Sequence, residues 1–303
     1  MRIARYAQAG VTGWGLVEDD QVTNDRVAND RVTNDWVAND RVTNYRVIPL
    51  PGATDFAQAL AAARNGNLQG RGATLPAAGL QLLPPVLPDT KIICVGLNYR
   101  KHAQEVARDS GGHPSVFPRF PDTFVGHGEP VLRSPVSAEL DYEAELAVVI
   151  GKPARYVDEA DAMDYVGGYT CMAENSVRDY QMHNRQATPG KNFLRSGALG
   201  PWIVTPDVMP ALASVRVAGR LNGEQVQDAT LDDLVFSIPQ LISYLSQFTL
   251  LRPGDIIATG TPEGVGMSRK PPRYLRAGDR FEVEIAGIGV LANPVQDEGA
   301  GHA

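Results

Sequence analysis

Residues 140–151 read LDYEAELAVVIG, and this stretch decides how the rest of the chain is interpreted. Its second half is apolar and rich in β-branched residues, which predicts a buried strand. Side chains two positions apart on a strand point to the same face, so Glu143 and Glu145 are expected to lie side by side. Two neighbouring buried carboxylates repel each other and lose hydration, and a hard divalent cation such as Mg²⁺ or Mn²⁺ would compensate for both. The alternative is a solvated edge strand that carries two surface glutamates.

The composition is that of an ordinary globular protein. The chain has 303 residues and a mass of 32.6 kDa, with 43% hydrophobic and 21% charged residues. A net charge of −7 argues against a nucleic-acid partner, because binding to phosphates requires a basic face. No apolar stretch approaches the roughly 20 residues that cross a bilayer, so no membrane partner is expected.

The N-terminal residues and the cysteines bear on the compartment. The first residues lack the apolar core of a signal peptide. Cys94 and Cys171 lie in apolar surroundings, with neither metal-site spacing nor a disulfide framework. A cytoplasmic location is therefore expected.

Two domains are predicted, a small β-rich N-terminal domain over residues 1–85 and a catalytic domain over residues 86–303. The proline-rich stretch 83–88 (LPPVLP) marks the boundary. Within the first domain, residues 22–47 repeat every five residues in units of the form Val-Thr/Ala-Asn-Asp-Arg. This period fits neither a strand nor a helix, so the repeat is predicted to be an insert in a surface loop or hairpin; a small β-solenoid is the alternative.

Few helices are predicted. Residues 56–65 contain strong helix formers after Asp55, a suitable N-cap, and residues 239–248 form a second helix with proline in its first turn. The short strands and turns elsewhere predict an α+β fold that is rich in β-structure.

A histidine and a glutamate follow the predicted strand 91–96. His102 and Glu105 share a face if residues 100–106 are helical. A carboxylate beside an imidazole fixes its tautomer and raises its basicity, which suits a base that activates water. The alternative is an incidental pair on a surface helix.

Three later stretches contribute further candidates. Glu174 is a possible third oxygen ligand, and Arg178–Asp179 beside it is interpreted as a structural ion pair or a capping device. Lys191 lies in a loop where it could meet an anionic substrate. Residues 252–266 (RPGDIIATGTPEGVG) form a turn, a buried strand and a glycine-rich loop without the Lys-Ser/Thr of a P-loop, which favours close backbone approach to a small ligand.

In their order along the chain these pieces resemble the fumarylacetoacetate hydrolase family, over about residues 88–296. Each short motif is common, but the ordered set is specific. The set comprises VGLNY (95–99) with His102, LDYEAEL (140–146), GYT (168–170) with Arg178-Asp179 and Gln181, GK (190–191), GPW (200–202), LNGE (221–224), PGD (253–255) and TGTPEGVG (259–266).

The resemblance implies a mixed β-roll or β-sandwich fold that is usually dimeric, so a homodimer is expected. It implies a Mg²⁺ or Mn²⁺ ion held by acidic residues at Glu143, Glu145 and Glu174. It assigns catalytic roles to His102, Glu105 and Lys191, and substrate contacts to Tyr142, Gln181 and Thr261. The implied substrate is a 2-oxo, 1,3-dioxo or enol carboxylic acid.

The chain departs from the family pattern at three positions. Glu174, which follows Ala173, stands where the family usually has an aspartate after an asparagine. Arg119 stands where lysine is frequent, and its planar fork suits a carboxylate. Arg195 adds a second cation after Lys191. Both arginines are predicted to contact the substrate, with structural ion pairs as the alternative.

The leading functional hypothesis is metal-dependent hydrolysis of a C–C bond in a β-diketo acid. His102, oriented by Glu105, would activate water, and the metal and Lys191 would stabilise the enolate that leaves. The alternative is a decarboxylase or an isomerase (tautomerase) of an oxo-diacid of the hydroxymuconate type. A second alternative is a homologue that binds metal or organic acid without catalysis.

Overall fold

A mixed sheet of twelve strands dominates the part of the chain that the computed structural model describes, residues 1–19, 45–65, 73–105, 112–184 and 186–299. A sheet of five strands and a pair of short strands complete the β-structure. The large sheet contains β1 (Arg2–Gln8), β2 (Val11–Asp19), β3 (Tyr45–Pro49), β4 (Leu75–Pro76), β5 (Gln81–Leu83), β6 (Ile92–Gly96), β7 (Ser115–Arg119), β8 (Phe124–Val125), β11 (Ala144–Ile150), β12 (Val166–Ala173), β14 (Gly197–Val204) and β17 (Ile256–Ala258). The five-stranded sheet contains β9 (Val131–Arg133), β15 (Arg216–Leu221), β16 (Glu224–Thr230), β18 (Arg280–Ile285) and β19 (Gly289–Asp297), and the pair is β10 (Leu140–Asp141) with β13 (Ser176–Val177).

The described helices are few and short, which confirms the predicted β-rich α+β fold. They are α1 (Phe56–Arg64), α2 (Arg100–Glu105), α3 (Arg178–Gln181), α4 (Thr188–Lys191) and α5 (Ile238–Phe248). Short 3₁₀ turns occupy Pro121–Thr123, Glu159–Tyr165, Pro206–Val208, Leu212–Ser214, Leu231–Asp233 and Gly266–Ser268. No helix in the described residues is both long enough and apolar enough to span a membrane.

The two predicted helices form where their capping residues place them. The Asp55 carboxylate accepts a hydrogen bond from the backbone N–H of Gln58 and starts α1. Ser237 and Gln240 form a capping box at the start of α5, which therefore begins one residue before the predicted start.

The strand β11 lies in the middle of the large sheet, antiparallel to both β12 and β17, and all of its residues are buried. Ala147 and Val149 face the core that contains Ile92 and Ile256. Glu145 lies on the same face, near the N-terminal end of the strand. The prediction of one unbroken strand over 140–151 is wrong in one detail. The chain leaves the ladder at Tyr142, because the Asp141 carboxylate accepts the Tyr142 backbone N–H at 2.8 Å.

The N-terminal strands extend the same sheet. The strand β1 pairs with β14, and Ile3, Trp14 and Phe56 pack in one core with Ile92. Hydrogen bonds and apolar contacts thus cross the predicted domain boundary at residue 85, which stays a prediction.

The strands β2 and β3 bracket the pentad repeat. Asp19 and Tyr45 are direct partners in the antiparallel pair that they form. Residues 45–47 of the predicted insert belong to β3, with Val47 fully buried, whereas residues 22–44 lie outside the described part of the chain.

The register predicts that the repeat is dispensable for the fold. Replacing residues 20–44 with Asn-Gly, which forms the type I′ turn of a two-residue hairpin, should join Asp19 to Tyr45 without altering either strand. We expect a melting temperature within about 2 °C of the full-length protein, since a change of 1 kcal/mol shifts it by about that much in a chain of this size. A larger loss of stability, measured by calorimetry, would contradict the assignment of the repeat as an insert.

Candidate metal centre and active site

Three glutamates converge at the N-terminal end of β11. Glu143, Glu145 and Glu174 are all buried, and each offers a carboxylate oxygen within 4.8 Å of those of the other two. Glu145 lies on β11, and Glu174 directly follows β12, where Ala144 pairs with Ala173. The Glu174 backbone N–H also donates to the Glu143 carbonyl at 2.9 Å. The antiparallel register therefore brings together acids that are about 30 residues apart in the sequence.

Two cations compensate for Glu143. The Lys191 ammonium donates to Glu143 Oε2 at 3.0 Å and also contacts Glu174 Oε2. Arg178 lies 2.7 Å from Glu143 Oε1, which also accepts the Ser176 hydroxyl at 2.6 Å. Burial alone would raise the pKa of Glu143, but Lys191 and Arg178 outweigh it and lower the pKa to about 2. Glu143 is therefore ionised at neutral pH.

Glu145 has much weaker compensation. Among the described residues it accepts one hydrogen bond, from the Gly260 backbone N–H at 2.8 Å. Burial, and then the neighbouring carboxylates of Glu174 and Glu143, raise the pKa of Glu145 well above its usual range. A nearby positive charge is needed to keep Glu145 ionised. Three carboxylates supply the hard oxygen ligands that Mg²⁺ and Mn²⁺ prefer. The residues therefore fit a divalent ion of that type.

Arg119 lies against the third carboxylate. Its side chain is fully buried, and its Nη1 donates to Glu174 Oε1 and to the Asn175 carbonyl, both at 3.1 Å. Nη2 donates to the Ser196 hydroxyl at 2.9 Å. This arrangement is the structural ion pair that the sequence left open for Arg119. Arg119 binds one carboxylate oxygen of Glu174, and the other oxygen contacts Lys191. The glutamate that stands here in place of the usual aspartate therefore has a cation beside each oxygen.

Arg178 is paired differently from the prediction. It does not pair with Asp179, which accepts the Ser137 hydroxyl at 2.7 Å; its Nε donates instead to Asp141 Oδ2 at 2.8 Å. Asp141 also accepts the backbone N–H groups of Gly266 at 2.7 Å and Met267 at 3.0 Å. Sequence reasoning missed Asp141 as a link between the glutamate strand and the glycine-rich loop. Its place two residues before Glu143, in the same stretch of sequence, was the available signal.

The predicted His102–Glu105 pair forms at the start of the catalytic region. His102 Nδ1 lies 3.0 Å from Glu105 Oε2, and only 7% of the histidine is exposed. Glu105 Oε1 accepts the Gly264 backbone N–H at 3.0 Å and the Ser268 hydroxyl at 2.6 Å. The carboxylate that orients the imidazole is thus itself fixed by the glycine-rich loop, as a proton-transfer group requires.

Of the predicted substrate contacts, Gln181 and Thr261 lie beside the site. Gln181 Oε1 accepts from Arg178 Nη1 at 2.9 Å, and the Thr261 hydroxyl donates to the Ala144 carbonyl at 3.0 Å. Tyr142 and Arg195 contact other partners. The Tyr142 hydroxyl accepts from Arg269 at 2.7 Å, and Arg195 forms an ion pair with Glu129 at 3.4 Å. The substrate contacts of these four residues and of Arg119 stay predictions.

Cys94 lies on β6 in an apolar core with Ala147 and Val149 of β11 and is fully buried. Burial, and then the negative charges of Glu174 and Glu145, raise the pKa of its thiol well above the usual range. The side chain is therefore a neutral thiol at physiological pH.

The poor compensation of Glu145 gives a stability prediction. The folded metal-free protein holds the Glu145 proton above the ordinary carboxyl pKa of about 4.3, so its free energy of unfolding falls as the pH rises beyond that value. Glu145→Gln keeps an acceptor for Gly260 and removes the ionisation. We expect the melting temperature of the metal-free variant at pH 7 to rise by roughly 2 °C for each kcal/mol of repulsion removed.

The same variant should lose stabilisation by metal. Wild-type protein should gain about 2.7 kcal/mol when Mn²⁺ is present at a hundred times its Kd, and Glu145→Gln much less. Glu224→Gln, at an exposed ion pair with Arg273, is the matched control. A metal-free Glu145→Gln that melts below wild type, or a full Mn²⁺ response in that variant, would contradict the assignment.

The comparisons with known proteins agree with this geometry. The family model described as fumarylacetoacetate (FAA) hydrolase C-terminal matches residues 91–296. The oxaloacetate tautomerase of Rattus norvegicus, named as mitochondrial, is 42% identical over 222 residues, which cover 73% of this chain and 71% of the rat protein. The mitochondrial name of this relative does not support the cytoplasmic expectation, which stays a prediction.

Solved structures extend the likeness to nearly the whole chain. The 5-carboxymethyl-2-hydroxymuconate delta-isomerase of Mycobacterium smegmatis has a TM-score of 0.75 and 29% identity, with 99% of this chain and 100% of that chain covered. The maleylpyruvate hydrolase of Sphingobium sp. SYK-6, solved with a manganese(II) ion and pyruvate, has a TM-score of 0.73 and 28% identity, with coverage of 99% and 100%. With its fold, its acidic triad and the match over residues 91–296, this chain belongs to the fumarylacetoacetate hydrolase family and is an enzyme of that family.

Proposed function

We propose that this protein is a metal-dependent tautomerase that interconverts the enol and keto forms of a short 2-oxo diacid such as oxaloacetate. The observation that carries the proposal is that one loop ties the acidic triad to the His102–Glu105 pair. The Gly260 N–H donates to Glu145, and the Gly264 N–H donates to Glu105 four residues later. A cation site and a proton-transfer group are thereby held in one fixed relation, and tautomerisation requires both.

The chemistry is a proton transfer between oxygen and carbon. In the direction from enol to keto, the O2 hydroxyl loses a proton and C3 gains one, with no change in composition. His102 is the group that carries the proton, because Glu105 holds its imidazole at 3.0 Å. Lys191 supplies a fixed positive charge that stabilises the enolate formed on the way. A bound Mg²⁺ or Mn²⁺ would polarise the 2-oxo and carboxylate oxygens of the substrate as a Lewis acid.

The relatives support tautomerisation over the hydrolysis that the sequence alone favours. The rat protein, at 42% identity, is an oxaloacetate tautomerase, and the Mycobacterium smegmatis structure is an isomerase. Neither reaction named for these proteins requires attack by water. The isomerase alternative is therefore preferred to cleavage of a C–C bond.

Hydrolysis is retained as the second candidate because of one specific likeness. The maleylpyruvate hydrolase that shares this fold was solved with manganese and pyruvate. A histidine fixed by a glutamate can activate water as well as move a substrate proton. The two functions differ in whether water attacks a second carbonyl of the substrate.

A substrate panel discriminates these reactions. The purified protein, loaded with Mg²⁺ or with Mn²⁺, is assayed for ketonisation of enol-oxaloacetate, decarboxylation of oxaloacetate, cleavage of an acylpyruvate and isomerisation of a 2-hydroxymuconate-type diacid. We expect ketonisation to have the highest kcat/KM and to stop in excess EDTA. Faster acylpyruvate cleavage, or full ketonisation in EDTA, would overturn the proposal.

Removal of the imidazole tests the proton-transfer role. His102→Ala should lower kcat for ketonisation by about 10²–10⁴-fold, the usual contribution of a general acid or base. Its effect on Mn²⁺ affinity should be small, because His102 is not among the three acids of the triad. His113→Ala, at an exposed histidine that stacks on Tyr244, is the control. Equal kcat values for His102→Ala and wild type would exclude His102 as the proton carrier.

The homodimer implied by the family resemblance is part of the proposal. Light scattering coupled to size exclusion should give a mass near twice 32.6 kDa. A monomer with full activity would remove this element without affecting the reaction.

A further inference from the structure

Gln227 lies on β16 in the five-stranded sheet and has no role in the chemistry described above, yet only 2% of it is exposed. We propose that Gln227 is a positioning residue that holds the glycine-rich loop against the peptide between Glu143 and Glu145. It would act on the metal ligands and on the His102–Glu105 pair without touching the substrate.

The amide of Gln227 bridges two segments of the site. Its Oε1 accepts the Ala144 backbone N–H at 2.9 Å. Its Nε2 donates to the Thr261 hydroxyl at 2.8 Å and to the Pro262 carbonyl at 2.9 Å. The orientation of the amide is unambiguous, because a backbone N–H can only donate and a carbonyl can only accept.

These contacts replace a missing stretch of sheet. The ladder between β11 and β17 covers Ala147–Val149, and β17 ends at Ala258. At Ala144 the N–H is bound by Gln227 and the carbonyl by the Thr261 hydroxyl at 3.0 Å. Two side chains therefore take the place of strand hydrogen bonds at the peptide that separates the two glutamates. A shift of this peptide would move both carboxylates.

The loop also fits closely against β16 itself. Gly264 has a φ of +97°, and a Cβ at this position would lie 2.1 Å from the Val226 carbonyl oxygen, next to Gln227. The same loop donates the Gly260 N–H to Glu145 and the Gly264 N–H to Glu105. Anchoring by Gln227 therefore sets both halves of the site at once.

The test compares two glutamines on one strand. Gln227→Met keeps the approximate volume and removes all three hydrogen bonds. Gln225→Met is the matched control, because Gln225 is exposed and bonds only to Arg216 and Asp228 among the described residues. We expect Gln227→Met to weaken Mn²⁺ binding by about 10–100-fold, measured by isothermal titration, and to lower kcat at saturating Mn²⁺. Gln225→Met should leave both unchanged.

A folded Gln227→Met protein with Mn²⁺ affinity and kcat within about twofold of wild type would overturn the proposal. If that variant does not fold, Thr261→Val decides, since it removes one hydroxyl of the same network at nearly constant shape. Its Mn²⁺ affinity should fall in the same direction, and an unchanged affinity refutes the role of the network. If both single variants fold, the loss of Mn²⁺ affinity in the double variant should be smaller than the two single losses combined, because both changes break one network.

Only the kinetic arm rests on the proposed function. If wild-type protein does not ketonise oxaloacetate, the proposed function fails, while the Mn²⁺ titrations still decide the role of Gln227.

Discussion

The burial of several carboxylates in one place is the constraint that the surrounding structure has to satisfy. Removing a charge from water costs several kcal/mol unless partners replace the lost hydration. Four buried acids, Asp141, Glu143, Glu145 and Glu174, meet three buried cations, Arg119, Arg178 and Lys191. The difference, four minus three, leaves one negative charge, and burial together with this excess raises the pKa of both Glu145 and Glu174. A divalent ion would reverse that imbalance, so its binding would be coupled to the stability of the fold.

The loop over residues 259–268 joins this charge cluster to the His102–Glu105 pair. Its backbone donates to Glu145 and Glu105 through Gly260 and Gly264, and to Asp141 through Gly266 and Met267. Backbone donors are rigid and carry no charge of their own, so they fix carboxylates without neutralising them. The loop follows β17, which is itself anchored in the centre of the large sheet, and a flexible position would lose this precision.

The sequence predicts those parts of the site that follow from local spacing. The spacing of Glu143 and Glu145 predicts that they meet, and they do, although Glu143 lies just before β11 and not on it; His102 and Glu105 meet because of the period of a helix. Arg119 could not be placed in this way. Its contact with Glu174 joins residues 55 positions apart and depends on how β7 and β12 lie in one sheet. Gln227 was missed for the same reason, since its partners Ala144 and Thr261 belong to other elements.

The fold shows a similar division. Composition and turns predict a β-rich protein, and capping residues place α1 and α5 closely. The break at Tyr142 was missed although Asp141 gave a local signal, because aspartate is depleted in strands and its side chain competes for nearby backbone N–H groups. The pairing of β1 with β14 joins distant parts of the sequence, and no local pattern predicts it.

The neutral thiol of Cys94 bears on which ions the three carboxylates would hold. Affinities of divalent transition metals for nitrogen and sulfur donors rise steeply from Mn²⁺ toward Cu²⁺ and Zn²⁺, so one available thiolate beside three carboxylates would favour the wrong metals. Only the deprotonated sulfur is a ligand, and burial, and then the charges of Glu174 and Glu145, raise the pKa of Cys94 and keep it protonated. Two of the carboxylates that would hold a hard ion thus also help to keep this sulfur protonated.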